Sequence, residues 1–165
     1  MNPKKILLEK NKSEEQFLRS KTINFNFSKF TKKEIQELIK KMREIMKRAN
    51  GVGLSANQVG IPYSFFIAQV PDSQGKQKFY AIFNPEIIKI SNDETETIEE
   101  GCLSVPDTYG PVKRNYRVTL IGQDKNGKKI KIKAWGLLAR VFQHEVDHLS
   151  GGLFIDKTKE TRVIK

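Results

Sequence analysis

The stretch LLARVFQHEVDHLSGG, residues 137–152, sets the organisation that the sequence predicts for the whole chain. On a helical wheel, four of its residues fall on nearly one line: Leu137, Val141, His144 and His148. An apolar stripe therefore runs directly into two histidines, which lie one helical turn apart. We expect a helix that turns this face towards the core and ends at the Ser-Gly-Gly sequence that follows.

The two histidines of this stretch, His144 and His148, are the only histidines in the chain, and with Glu145 they form an H-E-x-x-H motif. Two imidazole nitrogens at this spacing can hold one divalent metal ion, and the glutamate can reach a water molecule on it. A catalytic site of this kind needs a third protein ligand.

The third ligand has three candidates. A third histidine at the usual spacing is absent, because Phe154 occupies that position. A downstream glutamate needs a further helix, for which little chain follows His148. Cys102, the only cysteine, is the remaining strong ligand, and its thiolate favours iron(II), zinc or cobalt(II) over magnesium or calcium.

The composition predicts a single domain over residues 1–165, with 38% hydrophobic residues to form one core. The net charge of +11 permits attraction to RNA, although we favour a lysine-rich solvated surface. A single cysteine cannot form an intramolecular disulfide, which indicates a reducing compartment, and we expect a cytoplasmic protein. Residues 1–12 lack the apolar run of a secretory signal, and no apolar run of about 18 residues predicts a membrane span.

A second helix is predicted over residues 31–48, where Thr31 and Glu34 form a capping-box pattern and apolar residues recur every three or four positions. Two strands are predicted at 64–70 and 78–83, and residues 86–90 are expected to continue the sheet after an interruption at Asn84-Pro85. Two further strands are predicted at 116–123 and 128–133, joined by a turn at 124–127. We expect residues 9–21 to be irregular and 94–100 to be a solvated edge or loop. Cys102 follows a glycine and precedes a Pro-containing loop, where side chains are often exposed to a cleft. The fold class is then α+β, with antiparallel sheets packed around a central metal-binding helix and an N-terminal amphipathic helix.

Three ordered motifs together resemble the peptide deformylases, enzymes that remove the N-terminal formyl group from new polypeptides. The motifs read GVGLSANQ at residues 51–58, EGCLS at 100–104 and QHEVDHLSG at 143–151. The resemblance extends from the predicted helix at residues 31–48 to about residue 156.

The resemblance implies a role for each residue that matches a family motif. The metal ligands are Cys102, His144 and His148, and Glu145 is the general base and acid. The oxyanion is held by the Leu103 backbone N–H and the Gln58 side-chain amide. The resemblance also implies that the methionine side chain of the substrate is bound by Val52, Leu137 and Val141. The backbones of Gly53 and Gly101 pair with the substrate peptide, and Arg114 and Asp147 form a supporting charge pair.

The implied reaction is attack of metal-bound hydroxide on the formyl carbon of a formyl-methionyl nascent polypeptide, with release of formate. The implied metal is usually iron(II), with zinc or another divalent metal possible. The tail lacks the long C-terminal helix with which many bacterial members dock on the ribosome, so any ribosome association would depend on the basic surface. We expect a monomer that does not bind membranes. Two alternatives stay open from the residues alone: an H-E-x-x-H peptidase, and a basic RNA- or ribosome-binding protein with a structural metal.

Overall fold

The strongest periodic segment forms helix α2 (Lys32–Arg48) in the computed structural model, which describes residues 1–164. The predicted capping box is present: the Thr31 hydroxyl accepts a hydrogen bond from the Glu34 N–H, and the Glu34 carboxylate accepts one from the Thr31 N–H. The apolar face of α2 is buried, as its spacing predicts, through Ile35, Leu38, Ile39, Met42, Ile45 and Met46. This helix covers one face of the larger sheet.

A short helix, α1 (Lys12–Leu18), lies within residues 9–21, where the prediction of irregular structure was wrong. Its start is fixed by local polar contacts, because the Asn11 side chain accepts hydrogen bonds from two backbone N–H groups. Only Leu18 is buried, so a helix this short gives no periodic signal in the sequence. Just before it, the Leu7 N–H donates to the Gln58 carbonyl and the Glu9 N–H donates to the Ser104 carbonyl, both at 2.8 Å.

Five antiparallel strands form the larger sheet in the order β1-β2-β3-β6-β7. They are β1 (Gly53–Ser55), β2 (Phe65–Pro71), β3 (Gln77–Ile90), β6 (Arg117–Gln123) and β7 (Lys129–Trp135). The predicted β6–β7 hairpin is confirmed. The predicted interruption at Asn84-Pro85 is a shift of register within one continuous strand, β3, where Asn84 has a φ of 48° and its side chain bonds to the Phe25 backbone.

Three further strands form a smaller antiparallel sheet in the order β4-β5-β8: β4 (Thr95–Cys102), β5 (Val105–Asn115) and β8 (Arg162–Val163). The expectation of a solvated edge over residues 94–100 is confirmed, because β4 is the edge strand of this sheet. The expectation of a loop around Pro106 was wrong, because β5 begins at Val105. Polar and charged residues dominate β4, and most of them are exposed, so the sequence lacks the apolar alternation that marks a strand.

The predicted central helix is α3 (Gly136–Leu149), and it packs against β1 and β2 of the larger sheet and against β5 of the smaller one. It ends as predicted, with Gly151 in the left-handed region at a φ of 83°. Its apolar side, which includes Phe142, packs in a hydrophobic cluster with Phe66 and Leu120 of the larger sheet. The α+β arrangement around a central helix is confirmed. Within residues 1–164, no helix combines the length and apolar character that crossing a membrane requires.

Candidate metal centre and cleft

The end of β4 and the middle of α3 bring three metal-binding side chains together. The Nε2 atom of His148 lies 3.2 Å from the Sγ atom of Cys102 and 3.2 Å from the Nε2 atom of His144. One donor atom from each residue falls within 4.8 Å of the others. One thiolate and two imidazoles fit a zinc or iron(II) ion, whose tetrahedral coordination leaves a fourth position for water.

The two histidines differ in their protonation. Burial, together with the neighbouring His144, lowers the pKa of His148 well below its ordinary value, so its imidazole is neutral. Burial also lowers the pKa of His144, but its hydrogen bonds with Cys102 and Glu100 outweigh this effect and raise that pKa to about 10. Protons and a metal ion therefore compete for His144. The buried Nδ1 of His148 has no hydrogen-bond partner in residues 1–164.

The buried Glu100 carboxylate orients the His144 ring. It accepts hydrogen bonds from His144 Nδ1 at 3.0 Å, from Arg114 Nε and Nη2 at 2.9 Å each, and from Arg140 Nη1 at 2.7 Å. Burial raises the pKa of Glu100, but the hydrogen bonds from Arg114 and His144 hold it well below its ordinary range. A permanent carboxylate behind His144 fixes the ring so that its Nε2 atom faces the other two ligand atoms.

Sequence reasoning missed Glu100 and Arg140. The predicted contact between Arg114 and Asp147 is present, but Arg114 binds Glu100 as well. Arg140 also donates to the backbone carbonyls of Val112 and Glu96, at 2.9 and 2.7 Å. A signal for both residues was in the sequence: Glu100 opens the EGCLS motif, and an arginine inside the apolar stripe of a buried helix requires a partner.

Glu145 follows His144 in α3, lines the same cleft and is buried against β1. Burial raises the pKa of its carboxyl group, while His144 and a hydrogen bond from the Ser55 hydroxyl to Oε2 oppose the rise. A Cβ atom added to Gly53 would lie 2.2 Å from Glu145 Oε1, so only glycine leaves room for this carboxylate. The contact with Ser55 was not predicted, since sequence reasoning assigned no role to its hydroxyl.

The Gln58 side chain is buried beside the ligand Cys102. Its Oε1 accepts a hydrogen bond from the Ser55 N–H at 2.9 Å, which fixes the amide plane. Its Nε2 atom donates to the Ser104 hydroxyl at 3.1 Å and lies 3.5 Å from Cys102 Sγ. One N–H of the Gln58 amide is thus held by Ser104, and the other points towards the Cys102 sulfur.

A cleft of about 640 Å³ opens over these residues. Ten of the predicted site residues line it: Val52, Gly53, Gln58, Gly101, Cys102, Leu103, Leu137, Val141, His144 and Glu145. His148, Arg114 and Asp147 do not line it. Val52 and Leu137 are about half exposed at the cleft, and Val141 is buried beside them.

The cleft runs between the edges of the two sheets. One wall contains Gly53 of β1, the edge strand of the larger sheet, and the other contains Gly101 of β4, the edge strand of the smaller sheet. Edge strands offer unpaired backbone groups to an extended peptide. The centre of Cys102, His144 and His148 lies at the end of this channel, so an extended chain can bring its terminus to the metal ligands.

Comparisons with known proteins give one consistent result. The family model described as polypeptide deformylase matches residues 4–163. A peptide deformylase of Halothermothrix orenii is 45% identical over 130 residues, which cover 79% of this chain and 80% of that protein. A peptide deformylase of Thermodesulfovibrio yellowstonii is 46% identical over 125 residues, covering 75% of this chain and 74% of that protein.

Solved structures agree. The structure of a probable peptide deformylase from Synechococcus phage S-SSM7 superposes with a TM-score of 0.82 at 38% identity, covering 93% of this chain and 99% of that chain. A peptide deformylase from Thermotoga maritima superposes with a TM-score of 0.83 at 34% identity, covering 97% of this chain and 100% of that chain. At these identities the likeness extends beyond the fold.

Proposed function

The chain belongs to the polypeptide deformylase family, and from this premise we propose how its own residues remove the formyl group from formyl-methionyl nascent polypeptides. The observation that carries the proposal is the convergence of Cys102, His144 and His148 beside a cleft that Cys102, His144 and Glu145 line. An H-E-x-x-H peptidase is not favoured, because the family match includes all three motifs of the site.

Cys102, His144 and His148 would hold one divalent metal ion, with iron(II) the preferred ion and zinc an alternative. The ligand set supports this choice, because a thiolate selects the softer divalent metals. When bound, such a metal lowers the pKa of a water molecule and so supplies a nucleophile near neutral pH. The Glu100 carboxylate holds the His144 ring in the orientation that binding requires.

Glu145 takes a proton from the attacking water and returns it to the departing amine. Its raised pKa suits both transfers, since a base works best when its pKa lies near the working pH. The negative charge that develops on the formyl oxygen is held by the Gln58 amide and the Leu103 backbone N–H. Loss of one such donor typically costs about 10²–10³-fold in rate.

The cleft walls would position the substrate. Val52, Leu137 and Val141 form an apolar surface for the methionine side chain. The backbones of Gly53 and Gly101 pair with the peptide as an added strand. Arg114, supported by Asp147, holds Glu100 in place behind the metal ligands. A formyl carbon carries only hydrogen, so a confined site at the channel end favours it over bulkier acyl groups.

The decisive test replaces Glu145 with glutamine in protein loaded anaerobically with iron(II). The amide keeps the shape of the side chain but cannot accept the proton. We expect formate release from formyl-Met-Ala to fall by about 10³–10⁴-fold, near the upper end for general acid–base catalysis. Elemental analysis should show unchanged metal content, because Glu145 is not a ligand.

Wild-type protein must release formate from the same peptide without cleaving unblocked internal peptide bonds. Activity of Glu145→Gln within about tenfold of wild type, with the metal still bound, would contradict the assigned base. No formate release by the iron-loaded wild type would overturn the function itself.

We propose further that residues 1–165 act as one catalytic domain, as a monomer in the cytoplasm. Ribosome association would rest on basic surface such as the exposed lysines of β7, which are Lys129, Lys131 and Lys133. Binding of this kind weakens steeply with salt, because it releases counterions from RNA. Co-sedimentation with ribosomes in low salt that is lost in high salt would support the association, and absence of binding at low salt would contradict it.

A further inference from the structure

Strand β8 brings a cation to the wall of the cleft. Arg162 pairs with Tyr109 of β5, and Tyr109 pairs with Gly101 of β4. Directly paired residues point to the same face of a sheet, as do residues two apart along a strand. One face of the sheet therefore carries Arg162, Tyr109, Gly101 and Glu99. Of these, Tyr109, Gly101 and Glu99 line the cleft.

The side chains on this face contact one another across the strands. The Arg162 side chain reaches over β5, and its Nη2 donates to Glu99 Oε2 at 2.6 Å. The Tyr109 ring lies against Gly101, where an added Cβ atom would be 2.7 Å from ring atom Cε1. Beside Gly101, the edge of the cleft is thus formed by the Tyr109 ring and the Arg162–Glu99 ion pair. Both charged side chains are accessible, with Arg162 64% and Glu99 43% exposed.

The path of the substrate leads past this ion pair. The formyl group must reach the metal ligands at the Cys102 end of β4, so a peptide paired with the β4 edge runs back along it, antiparallel to the strand. The proposed methionine pocket formed by Leu137 and Val141 lies on the α3 side of the cleft, the side to which Glu100 of β4 points. Successive side chains of an extended peptide alternate between two sides, so the side chain of the second residue points to the other side. Opposite Gly101, this second side chain shares the face of Glu99 and Arg162.

We propose that the Glu99–Arg162 ion pair determines specificity for charge at the second residue of the substrate, which rests on the deformylase function proposed above. Paired, the two charges compensate each other at the cleft edge. Without Arg162, the Glu99 carboxylate disfavours an acidic second residue and favours a basic one. Without the Glu99 charge, the Arg162 guanidinium has the opposite effect.

The test compares kcat/KM for formyl-Met-Glu-Ala and formyl-Met-Lys-Ala on the metal-loaded protein. We expect Arg162→Ala to lower the Glu-to-Lys ratio about two- to fivefold, the size of exposed charge interactions, and Glu99→Gln to raise it by a similar factor. Both changes should shrink in 1 M salt, where screening acts within about 3 Å.

Two further variants separate charge recognition from disruption of β8. Arg162→Lys keeps the charge and should hold the ratio near the wild-type value. Arg117→Ala removes an exposed arginine that pairs with Glu94 and does not line the cleft, and it should leave the ratio unchanged.

The outcomes are distinct. The proposal would be overturned by an unchanged ratio in both Arg162→Ala and Glu99→Gln, or by an equal change of the ratio in Arg117→Ala. In either case, turnover of both peptides would still uphold the deformylase function. Failure of the wild type to release formate from either peptide would overturn both.

Discussion

At the residue scale, the charge of Glu145 depends on one hydroxyl group. The Ser55 hydroxyl donates to Glu145 Oε2, and this bond opposes the rise that burial causes in the pKa of Glu145. Both side chains are buried, at 0% and 3% exposure, so no solvent replaces the bond when it is lost. Ser55 therefore positions the Glu145 carboxylate and tunes its pKa, which bears on the base role proposed for it.

Ser55→Ala should move the acidic limb of the kcat/KM profile to higher pH. Removing a donor from a carboxylate raises its pKa, and only the deprotonated form is a base, so activity is lost on the acidic side. A hydrogen bond worth about 0.5–1.5 kcal/mol corresponds to a shift of about 0.4–1 pH unit. Ser91→Ala, which removes a surface hydroxyl that bonds to the Glu94 carbonyl, is the control. An unmoved limb, or one at lower pH, would show that Ser55 does not tune Glu145.

The residues with distinctive chemistry were predictable from sequence, and their supporting residues were not. Cys102, His144 and His148 are rare residue types with a recognisable spacing, and the structure brings them together. Glu100 and Ser55 belong to common types whose importance depends on burial and on partners far away in the chain. The contact from Ser55 to Glu145 joins residues ninety positions apart, and no local pattern encodes it.

At the element scale, the end of α3 is locked onto the end of α1. Gly151 has a φ of 83°, and an added Cβ atom would lie 2.2 Å from the Arg19 carbonyl oxygen. The preceding turn of α3 carries His148, so this close contact fixes the helix end next to a metal ligand. Gly75, in the turn between β2 and β3, has a similar φ of 78° with nothing within 4 Å of the added atom.

Comparing Gly151→Ala with Gly75→Ala separates backbone strain from steric conflict. Gly75→Ala should cost about 1–2 kcal/mol of unfolding free energy, the cost of a left-handed conformation for an L residue. Gly151→Ala should cost about 3 kcal/mol or more, because overpacking against backbone adds to that strain. Denaturant unfolding measures both. Equal costs would show that α1 yields easily and does not hold the end of α3.

Element prediction succeeded where periodicity was strong and failed where it was weak. Helix α2 and the β6–β7 hairpin have long apolar patterns and clear capping or turn residues, and both were found. Strands β4 and β5 are stabilised by pairing with each other, and their exposed polar residues give no apolar alternation. Their pairing is a tertiary property, so the sequence of either strand alone does not reveal it.

At the scale of the whole molecule, the three candidate metal ligands come from two separate structural units. Cys102 lies on the smaller sheet, whereas His144 and His148 lie on α3, which packs against the larger sheet. Few signals in the sequence indicate how the two sheets face each other, beyond the order of the motifs. A metal that binds all three residues must therefore stabilise the arrangement of the sheets as well as the reaction.

Removal of the metal should lower Tm in the wild type and have a much smaller effect in Cys102→Ala. Binding to the folded state stabilises it by about 2.7 kcal/mol when free metal is at 100 times Kd. Thermal unfolding with zinc or with chelator measures the difference. The zinc-dependent rise should grow with pH, because the pKa of about 10 at His144 means that protons compete with the metal. A full rise in Cys102→Ala would exclude Cys102 as a ligand.

The order of synthesis determines when the contacts of the N-terminal segment can form. Leu7 and Glu9 are hydrogen-bonded to the carbonyls of Gln58 and Ser104, next to the groups that face the thiolate. Synthesis delivers residues 7 and 9 long before their acceptors, and joining them closes long loops, which is slow. During translation the Leu7 N–H cannot find its acceptor before residue 58 is made, nor the Glu9 N–H before residue 104. The contacts that place the N-terminal segment against Gln58 and Ser104 are therefore complete only after β4, the first strand of the smaller sheet, has been made.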